Sequence, residues 1–177
     1  MGTLTGCRTG VVAELDRFGA PAAAADKALE LFDADNDGAL NSAELLKSPG
    51  LMAGIARLDS NADGKLTRDE LLARFHALTE QSDLVAVDVR VSKGSQPLVG
   101  AAVTLSPEPF MGDGLQSYSG ETEPRGFCRL RAERQQLPGL PTGYYRVHVE
   151  DSRSGLNETT GCEVADDASG SRLMIEL

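Results

Sequence analysis

The chain has 177 residues, of which 41% are hydrophobic and 25% are charged, so it is large enough to bury a substantial core. Its formal net charge is -10 and its pI is about 4.6, which disfavours nucleic acid and anionic membrane surfaces as partners. The sequence contains no continuous apolar run of the length that a transmembrane helix needs. These features favour a soluble, folded protein.

The first part of the chain carries apolar residues at helical spacing. One apolar stripe covers residues 11–18, and an Ala-rich run over 22–32 continues the period after Pro21. A short helix around Leu45 and Leu46 is expected to stop at the Ser-Pro-Gly sequence of residues 48–50. Residues 51–58 and a stripe from 71 to about 79 predict two more helices.

Two twelve-residue stretches, 33–44 (DADNDGALNSAE) and 59–70 (DSNADGKLTRDE), follow one pattern. Each places oxygen-bearing side chains at positions one, three, five, nine and twelve, and glycine at position six. A hard cation such as calcium takes about six to eight oxygen ligands at roughly 2.4 Å, and only a tightly wound chain can present them. The pattern resembles the EF-hand family. An ordinary Asp- and Asn-rich turn is the simpler alternative, but it does not explain why the pattern occurs twice.

The resemblance implies two bound calcium ions, one in each loop. Position seven is expected to bind through its backbone carbonyl, and position nine directly or through water. The first loop offers four ligand carboxylates and the second three, so we expect the first loop to bind more tightly. The implied ligands are Asp33, Asp35, Asp37, Ala39, Asn41 and Glu44 in the first loop, and Asp59, Asn61, Asp63, Lys65, Thr67 and Glu70 in the second.

The spacing of the loops bears on how calcium would act. Only 14 residues separate them, and Met52 is the only methionine of this region beyond Met1. Calcium sensors expose a wide, methionine-rich groove when they open, whereas structural and buffering hands barely open. We therefore expect a structural calcium site rather than a sensor.

Beyond residue 82 the hydrophobic period changes from helical to two. Val85, Val87, Val89 and Val91 alternate with polar or small residues, as in a half-buried strand. Further strands are expected at 99–105, 115–119, 126–132, 144–150, 157–164 and 172–177. The predicted fold is α+β and multidomain, with a helical domain over 1–82 and a seven-stranded antiparallel β-sandwich over 83–177.

Three segments of the second part resemble the carboxypeptidase-regulatory-like, transthyretin-like (prealbumin-like) sandwich. They are QPLVGAAVTL at 96–105, GETEPRG at 120–126 and LPTGYYRV at 140–147. A short EF-hand pair followed by such a sandwich resembles secreted or lipid-anchored proteins of planctomycete-type bacteria. The resemblance implies a location outside the cytoplasm, secreted or in the cell envelope, with an unidentified protein or cell-surface partner. It says little about activity, because one fold serves many functions.

The three cysteines leave two questions open. Cys128 and Cys162 fall on predicted strands and could pair in an oxidising compartment or remain buried thiols. Cys7 closes the sequence Leu-Thr-Gly-Cys, which has the form of a bacterial lipobox. Only three residues precede that motif, so both lipid anchoring through Cys7 and an accidental match are open.

The sequence offers little for catalysis. Its two histidines, His76 and His148, are expected on polar faces, and no nucleophile or acid pattern accompanies them. No catalytic residue is therefore predicted, and we expect a protein that is not an enzyme. The basic run Arg129, Arg131 and Arg134 could dock an acidic partner, although a solvated strand face is the simpler interpretation.

Together these observations predict a protein outside the cytoplasm in which two calcium ions rigidify a structural or adhesion-type module. One alternative is a calcium-responsive sensor that recruits another protein. A second alternative is an accessory region of a secreted hydrolase.

Overall fold

The computed structural model of the protein describes residues 19–81, 84–132, 139–167 and 172–177. The four helices predicted for these residues are confirmed, with bounds that differ by a few residues. The expected helical stripe over 11–18 and the lipobox cysteine Cys7 lie outside the described residues. None of the described helices is long and apolar enough to cross a membrane. The helices are α1 (Pro21–Phe32), α2 (Ser42–Leu45), α3 (Pro49–Leu58) and α4 (Arg68–Thr79).

The helix bounds follow from the local sequence. Pro21 and Pro49 stand in the first turns of α1 and α3, where the missing backbone N–H costs nothing. The side chain of Asn41 accepts hydrogen bonds from the Ala43 and Glu44 amides of α2, and that of Thr67 accepts one from the Glu70 amide of α4. Each cap is completed by a glutamate three residues later, so the chain turns sharply from each loop into a helix.

The described residues form ten strands in three sheets. The short strands β1 (Ala39–Leu40) and β2 (Leu66–Thr67) pair with each other and join the two loops. One four-stranded sheet has the order β10-β3-β4, with β7 also paired to β3, and the other has the order β6-β5-β8-β9. The remaining strands are β3 (Asp88–Lys93), β4 (Gln96–Pro97), β5 (Ala102–Pro107), β6 (Tyr118–Glu121), β7 (Phe127–Cys128), β8 (Gly143–Asp151), β9 (Leu156–Val164) and β10 (Arg172–Glu176).

The strand arrangement corrects three expectations. Strand β10 runs parallel to β3, so an entirely antiparallel arrangement is wrong at this pair. The chain after residue 82 contains eight described strands rather than seven, because the turn at Gly94 allows the two-residue strand β4 to fold back onto β3. The first strand after residue 82, β3, begins at Asp88 rather than near Val85. Val85 forms only an isolated antiparallel β-bridge with Leu140.

Alternating apolar residues of the two four-stranded sheets contribute to one continuous core. Val89 and Val91 of β3 are buried, as are Val103 and Leu105 of β5. Strand β8 adds Tyr145, Val147 and Val149, as its period of two predicts. The same core includes buried residues of the helices, so the helices and the sheets pack against each other. The division of the chain into domains near residue 82 stays a prediction.

The helices cover one face of the β6-β5-β8-β9 sheet, at the start of β8. Tyr144, which points to the opposite face from Tyr145, is also fully buried, because Gly54 of α3 lies against its ring. At Gly161 of β9 a Cβ atom would stand 1.9 Å from the carbonyl oxygen of Pro49. The backbone of the first turn of α3 therefore lies directly on the sheet.

This close approach predicts a large effect for Gly161→Ala. The added methyl group must push α3 and β9 apart, so we expect the free energy of unfolding to fall by about 3 kcal/mol. Gly19→Ala is the matched control, because its Cβ would make an ordinary contact of 3.5 Å with the Met111 carbonyl oxygen. Urea unfolding of both variants measures the effect, and equal stabilities would contradict the close packing of α3 on β9.

Candidate metal centre

The two loops have the same backbone conformation at the same positions. Position four has a positive φ in both, 57° at Asn36 and 58° at Ala62. Position six is again left-handed, with φ of 86° at Gly38 and 80° at Gly64. A Cβ at either glycine would contact nothing within 4 Å, so glycine is needed for the turn and not for space. Both loops are thus wound in the way the ligand pattern requires.

The strands β1 and β2 hold the loops side by side. They pair in antiparallel register, with Ala39 opposite Thr67 and Leu40 opposite Leu66. Both leucines are fully buried and anchor the loops to the core beneath them. The two ligand sets are therefore held in one paired unit.

The first loop brings three carboxylates together. Oxygens of Asp33, Asp35 and Asp37 all lie within 4.8 Å of one another. Asp33 Oδ2 accepts a hydrogen bond from the Gly38 amide at 3.0 Å, and Asp35 Oδ1 accepts one from the Asp37 amide at 3.1 Å. Asp33 Oδ1 is buried and has no hydrogen-bond partner among the described residues. An unpartnered buried carboxylate oxygen is costly unless a cation satisfies it, so this loop fits a hard metal ion.

The remaining ligand positions of the first loop lie where the chain enters α2. Glu44 is buried, and its two carboxylate oxygens accept hydrogen bonds from Ala34 N at 2.7 Å and Asn41 N at 2.9 Å. These backbone hydrogen bonds hold the pKa of Glu44 below its usual value, and the one from the Asn41 amide has the largest effect. Glu44 therefore ties the end of the loop to its beginning as a carboxylate. Ala39, whose carbonyl is the expected ligand at position seven, lies in β1 opposite Thr67.

The second loop repeats the arrangement with its oxygens more fully hydrogen-bonded. Asp59 Oδ1 and Oδ2 accept hydrogen bonds from the amides of Asp63 and Gly64, at 3.2 and 2.8 Å. Asp63 Oδ1 accepts one from Lys65 N at 2.8 Å, and Asp63 Oδ2 accepts one from the Asn61 side-chain amide at 3.0 Å. A cation that binds Asp59 Oδ1 must displace the hydrogen bond from the Asp63 amide, whereas Asp33 Oδ1 in the first loop has no such hydrogen bond from a described residue to lose.

Glu70 closes the second loop. Burial raises its pKa, but hydrogen bonds from Thr67 and Ser60 outweigh this effect, so the pKa lies below its usual value. Its oxygens accept the Thr67 amide at 3.0 Å and the Ser60 amide at 3.0 Å. Glu70 therefore has the same position and charge as Glu44 in the first loop.

One cation links the loops in a way that the sequence did not indicate. Lys65, expected to serve through its backbone carbonyl, extends its side chain to the first loop, where Nζ lies 2.8 Å from Asp37 Oδ2. The hydrogen bond from Lys65 lowers the pKa of Asp37. Arg68 of the second loop also reaches the first hand, with Nε 2.5 Å from Asp26 Oδ1 on α1.

Sequence reasoning also missed a buried ion-pair cluster behind the second loop. Glu163 of β9 accepts hydrogen bonds from Arg57 of α3 at 2.5 Å and Arg74 of α4 at 2.7 Å. The Tyr144 hydroxyl donates to the same carboxylate at 2.8 Å, and burial raises the pKa of this tyrosine. The hint in the sequence was a charged residue, Arg74, within the apolar stripe of α4.

The other candidate residues lie apart from the loops. His76 is exposed on α4, as predicted, and His148 of β8 is half-buried with its Nδ1 3.2 Å from the Thr159 hydroxyl. Cys128 and Cys162 are free, buried thiols on different sheets, and burial raises their pKa values to about 11 and about 12. They are not the exposed thiolates that reactive sites need.

Two of the three arginines of the basic run, Arg129 and Arg131, lie within the described residues. Arg129 and Arg131 are exposed and line a surface cleft that also contains Glu121 and Glu123. Arg134 lies outside the described residues. An acidic partner for this run stays a prediction.

Comparison with known families assigns the helical part. Residues 25–47 and 52–76 each match the family model described as EF hand. The helical part is a pair of EF-hand repeats. Each matched segment contains one of the two loops, and EF-hand repeats imply calcium binding. This assignment agrees with the carboxylate cluster of the first EF hand.

The rest of the chain gains no assignment from the comparisons. No curated protein matches the chain in sequence. Among solved structures, the crystal structure of (S)-allantoin synthase is similar, with 16% sequence identity and a TM-score of 0.33 over 86% of this chain and 73% of that one. A likeness at this TM-score carries no information about the chemistry of this protein.

Proposed function

We propose that each EF-hand loop binds one calcium ion and that the ions rigidify a structural module outside the cytoplasm. The observation that supports binding most directly is Asp33 Oδ1, a buried carboxylate oxygen without a described hydrogen-bond partner in a cluster of three carboxylates. The ligands would be the oxygens named in the two loops. Calcium would neutralise carboxylates that otherwise repel one another.

The structural role is supported by what covers the apolar side of the EF hands. Phe110, in a short 3-10 turn at Pro109–Met111, stacks on Phe75 of α4 with ring centroids 5.5 Å apart. Phe32 of α1 meets the Phe110 ring edge-on, with ring centroids 6.4 Å apart. The ring centroids of Tyr144 and Phe75 are 5.7 Å apart. The protein's own second part thus occupies the surface that a sensor would offer to a target.

The helices on both sides of the second loop are also fixed to the sheet. The side chain of Glu163 is only 1% exposed, and it holds Arg57 of α3 and Arg74 of α4 together. Asp167 accepts two hydrogen bonds from Arg74, at 2.6 and 2.7 Å, which lower the pKa of Asp167 to about 2. A sensor-like separation of α3 and α4 would break these buried contacts, so we infer a hand that stays closed.

A location outside the cytoplasm, without enzymatic activity, completes the proposal. It is supported by the segments that resemble the carboxypeptidase-regulatory-like sandwich and by the two sheets with a common core. Extracellular calcium modules typically need only affinities of about 10⁻⁴ to 10⁻³ M. A site of that strength would be filled in such a compartment and would act as a permanent part of the fold.

The test is a calcium titration followed at the amides of Gly38 and Gly64 by ¹⁵N nuclear magnetic resonance. Each amide donates to the first carboxylate of its own loop, so each reports on one site. We expect both signals to shift in the wild type, Asp33→Ala to abolish the Gly38 response, and Asp59→Ala to abolish the Gly64 response. If neither wild-type signal moves at millimolar calcium, the proposed function is wrong.

A further inference from the structure

The Lys65 side chain links the two calcium loops of the proposed function. Its backbone belongs to the second loop, whereas its ammonium group lies 2.8 Å from Asp37 Oδ2 in the first. Asp37 Oδ1 already accepts the Ala39 amide at 2.9 Å. The oxygen that Lys65 contacts is therefore the one that the loop backbone leaves free for a cation.

Pairing of the two short strands explains this contact. Leu40 stands opposite Leu66, so the next residue in the register, Lys65, falls opposite Asn41, a ligand position of the first loop. A lysine side chain is long enough to pass from that position to Asp37. The pair is about half exposed, with 47% of the Lys65 side chain and 39% of the Asp37 side chain accessible. The ammonium group can therefore leave Asp37 without unfolding the loop.

We infer that Lys65 is a built-in competitor of calcium in the first loop and lowers the affinity of that site. This inference rests on the proposed function. The first loop carries four carboxylates, at Asp33, Asp35, Asp37 and Glu44, and Lys65 neutralises one of their charges. A calcium ion entering the loop meets a like charge on one of its own ligands and must displace it. Loading of the first site therefore releases a side chain of the second loop.

Arg68 provides a matched control within the same loop. It has the same charge as Lys65 and also reaches the first hand, but its partner Asp26 lies on α1 and is not a loop residue. Arg68→Gln therefore removes one positive charge that contacts the first hand, without freeing a ligand. Lys65→Gln removes the same charge and frees Asp37 Oδ2.

The experiment compares calcium affinities of the full chain at the Gly38 amide for the wild type, Lys65→Gln, Lys65→Arg and Arg68→Gln. We expect Lys65→Gln to lower the dissociation constant of the first site about tenfold, as removal of one close charge from a solvated site should. Arg68→Gln should change it less than about threefold, because the partner of Arg68, Asp26, is not a ligand of the loop. Lys65→Arg keeps a cation and should stay near the wild type.

The outcomes separate the inference from the function on which it rests. Equal gains for Lys65→Gln and Arg68→Gln would show a general effect of net charge and overturn the competitor role, as would no gain for Lys65→Gln. In both cases calcium still shifts Gly38 in the wild type, so the proposed function stands. A wild type whose Gly38 and Gly64 amides ignore calcium overturns both.

Discussion

Replacing Glu163 by glutamine is expected to lower the free energy of unfolding by about 3 kcal/mol, because it removes the buried negative charge that Arg57 and Arg74 share. Arg74 is 9% exposed at the side chain and keeps its two hydrogen bonds to Asp167, whereas Arg57 is 36% exposed, so the loss is only partly compensated. The variant keeps the size of the side chain, so loss of packing contributes little. Chemical denaturation of calcium-free protein measures the change.

Glu158→Gln is the control for this prediction. Glu158 lies on the same strand, β9, but is exposed, so its substitution should alter stability by less than about 0.5 kcal/mol. If Glu163→Gln is as stable as Glu158→Gln, the cluster does not fix α3 and α4 to the sheet. The case for a hand that stays closed would then lose one of its two supports.

Calcium at about ten times the dissociation constant is expected to stabilise the wild type by about 1.4 kcal/mol for each occupied site, or about 3 kcal/mol for two sites. The gain arises because the ligands converge only in the folded loops, so the ion binds the native state in preference to the unfolded chain. Denaturation with calcium and with a chelator measures it. A dye that binds apolar surface, added to the same samples, should show no increase.

The double variant Asp33→Ala, Asp59→Ala provides the reference for that experiment. It removes the first ligand of each loop and should show no calcium-dependent gain in stability. A wild type that gains stability but also binds dye would instead be a sensor that opens. A wild type with no gain at all would argue against calcium as a structural part of this fold.

The two loops were predictable from the sequence because their ligands are close together in the chain. Position six needs glycine for a left-handed turn, and positions one, three and five need oxygen, so twelve residues hold the whole signal. The helices beside the loops were equally local, since Asn41 and Thr67 mark their beginnings through caps. These parts of the prediction depend on short-range chemistry alone.

The sheets were only partly predictable, because strand pairing is long-range. Alternation identified Val89 and Val91 as buried, but it does not say which strand lies beside them. The parallel partner β10 comes from the other end of the described chain, and nothing local in Arg172–Glu176 encodes that choice. Membership of the carboxypeptidase-regulatory-like family and the two-domain division stay predictions.

The contacts of Glu163 and Lys65 could not be predicted, because each depends on how separate elements meet. A glutamate in a strand normally indicates a solvent-facing position, and Glu163 is buried only because α3 and α4 cover that end of the sheet. Lys65 reaches Asp37 only because β1 and β2 place the loops side by side. Glu163 lies where the second EF hand contacts the sheet, and Lys65 lies where the two loops contact each other.

Equilibrium dialysis of metal-stripped wild-type protein against radioactive calcium tests the central claim most directly, because it counts bound ions. We predict two calcium ions per chain at millimolar calcium, with magnesium a weak competitor, since it prefers a tighter octahedral site. A protein that retains no calcium under these conditions would contradict the account.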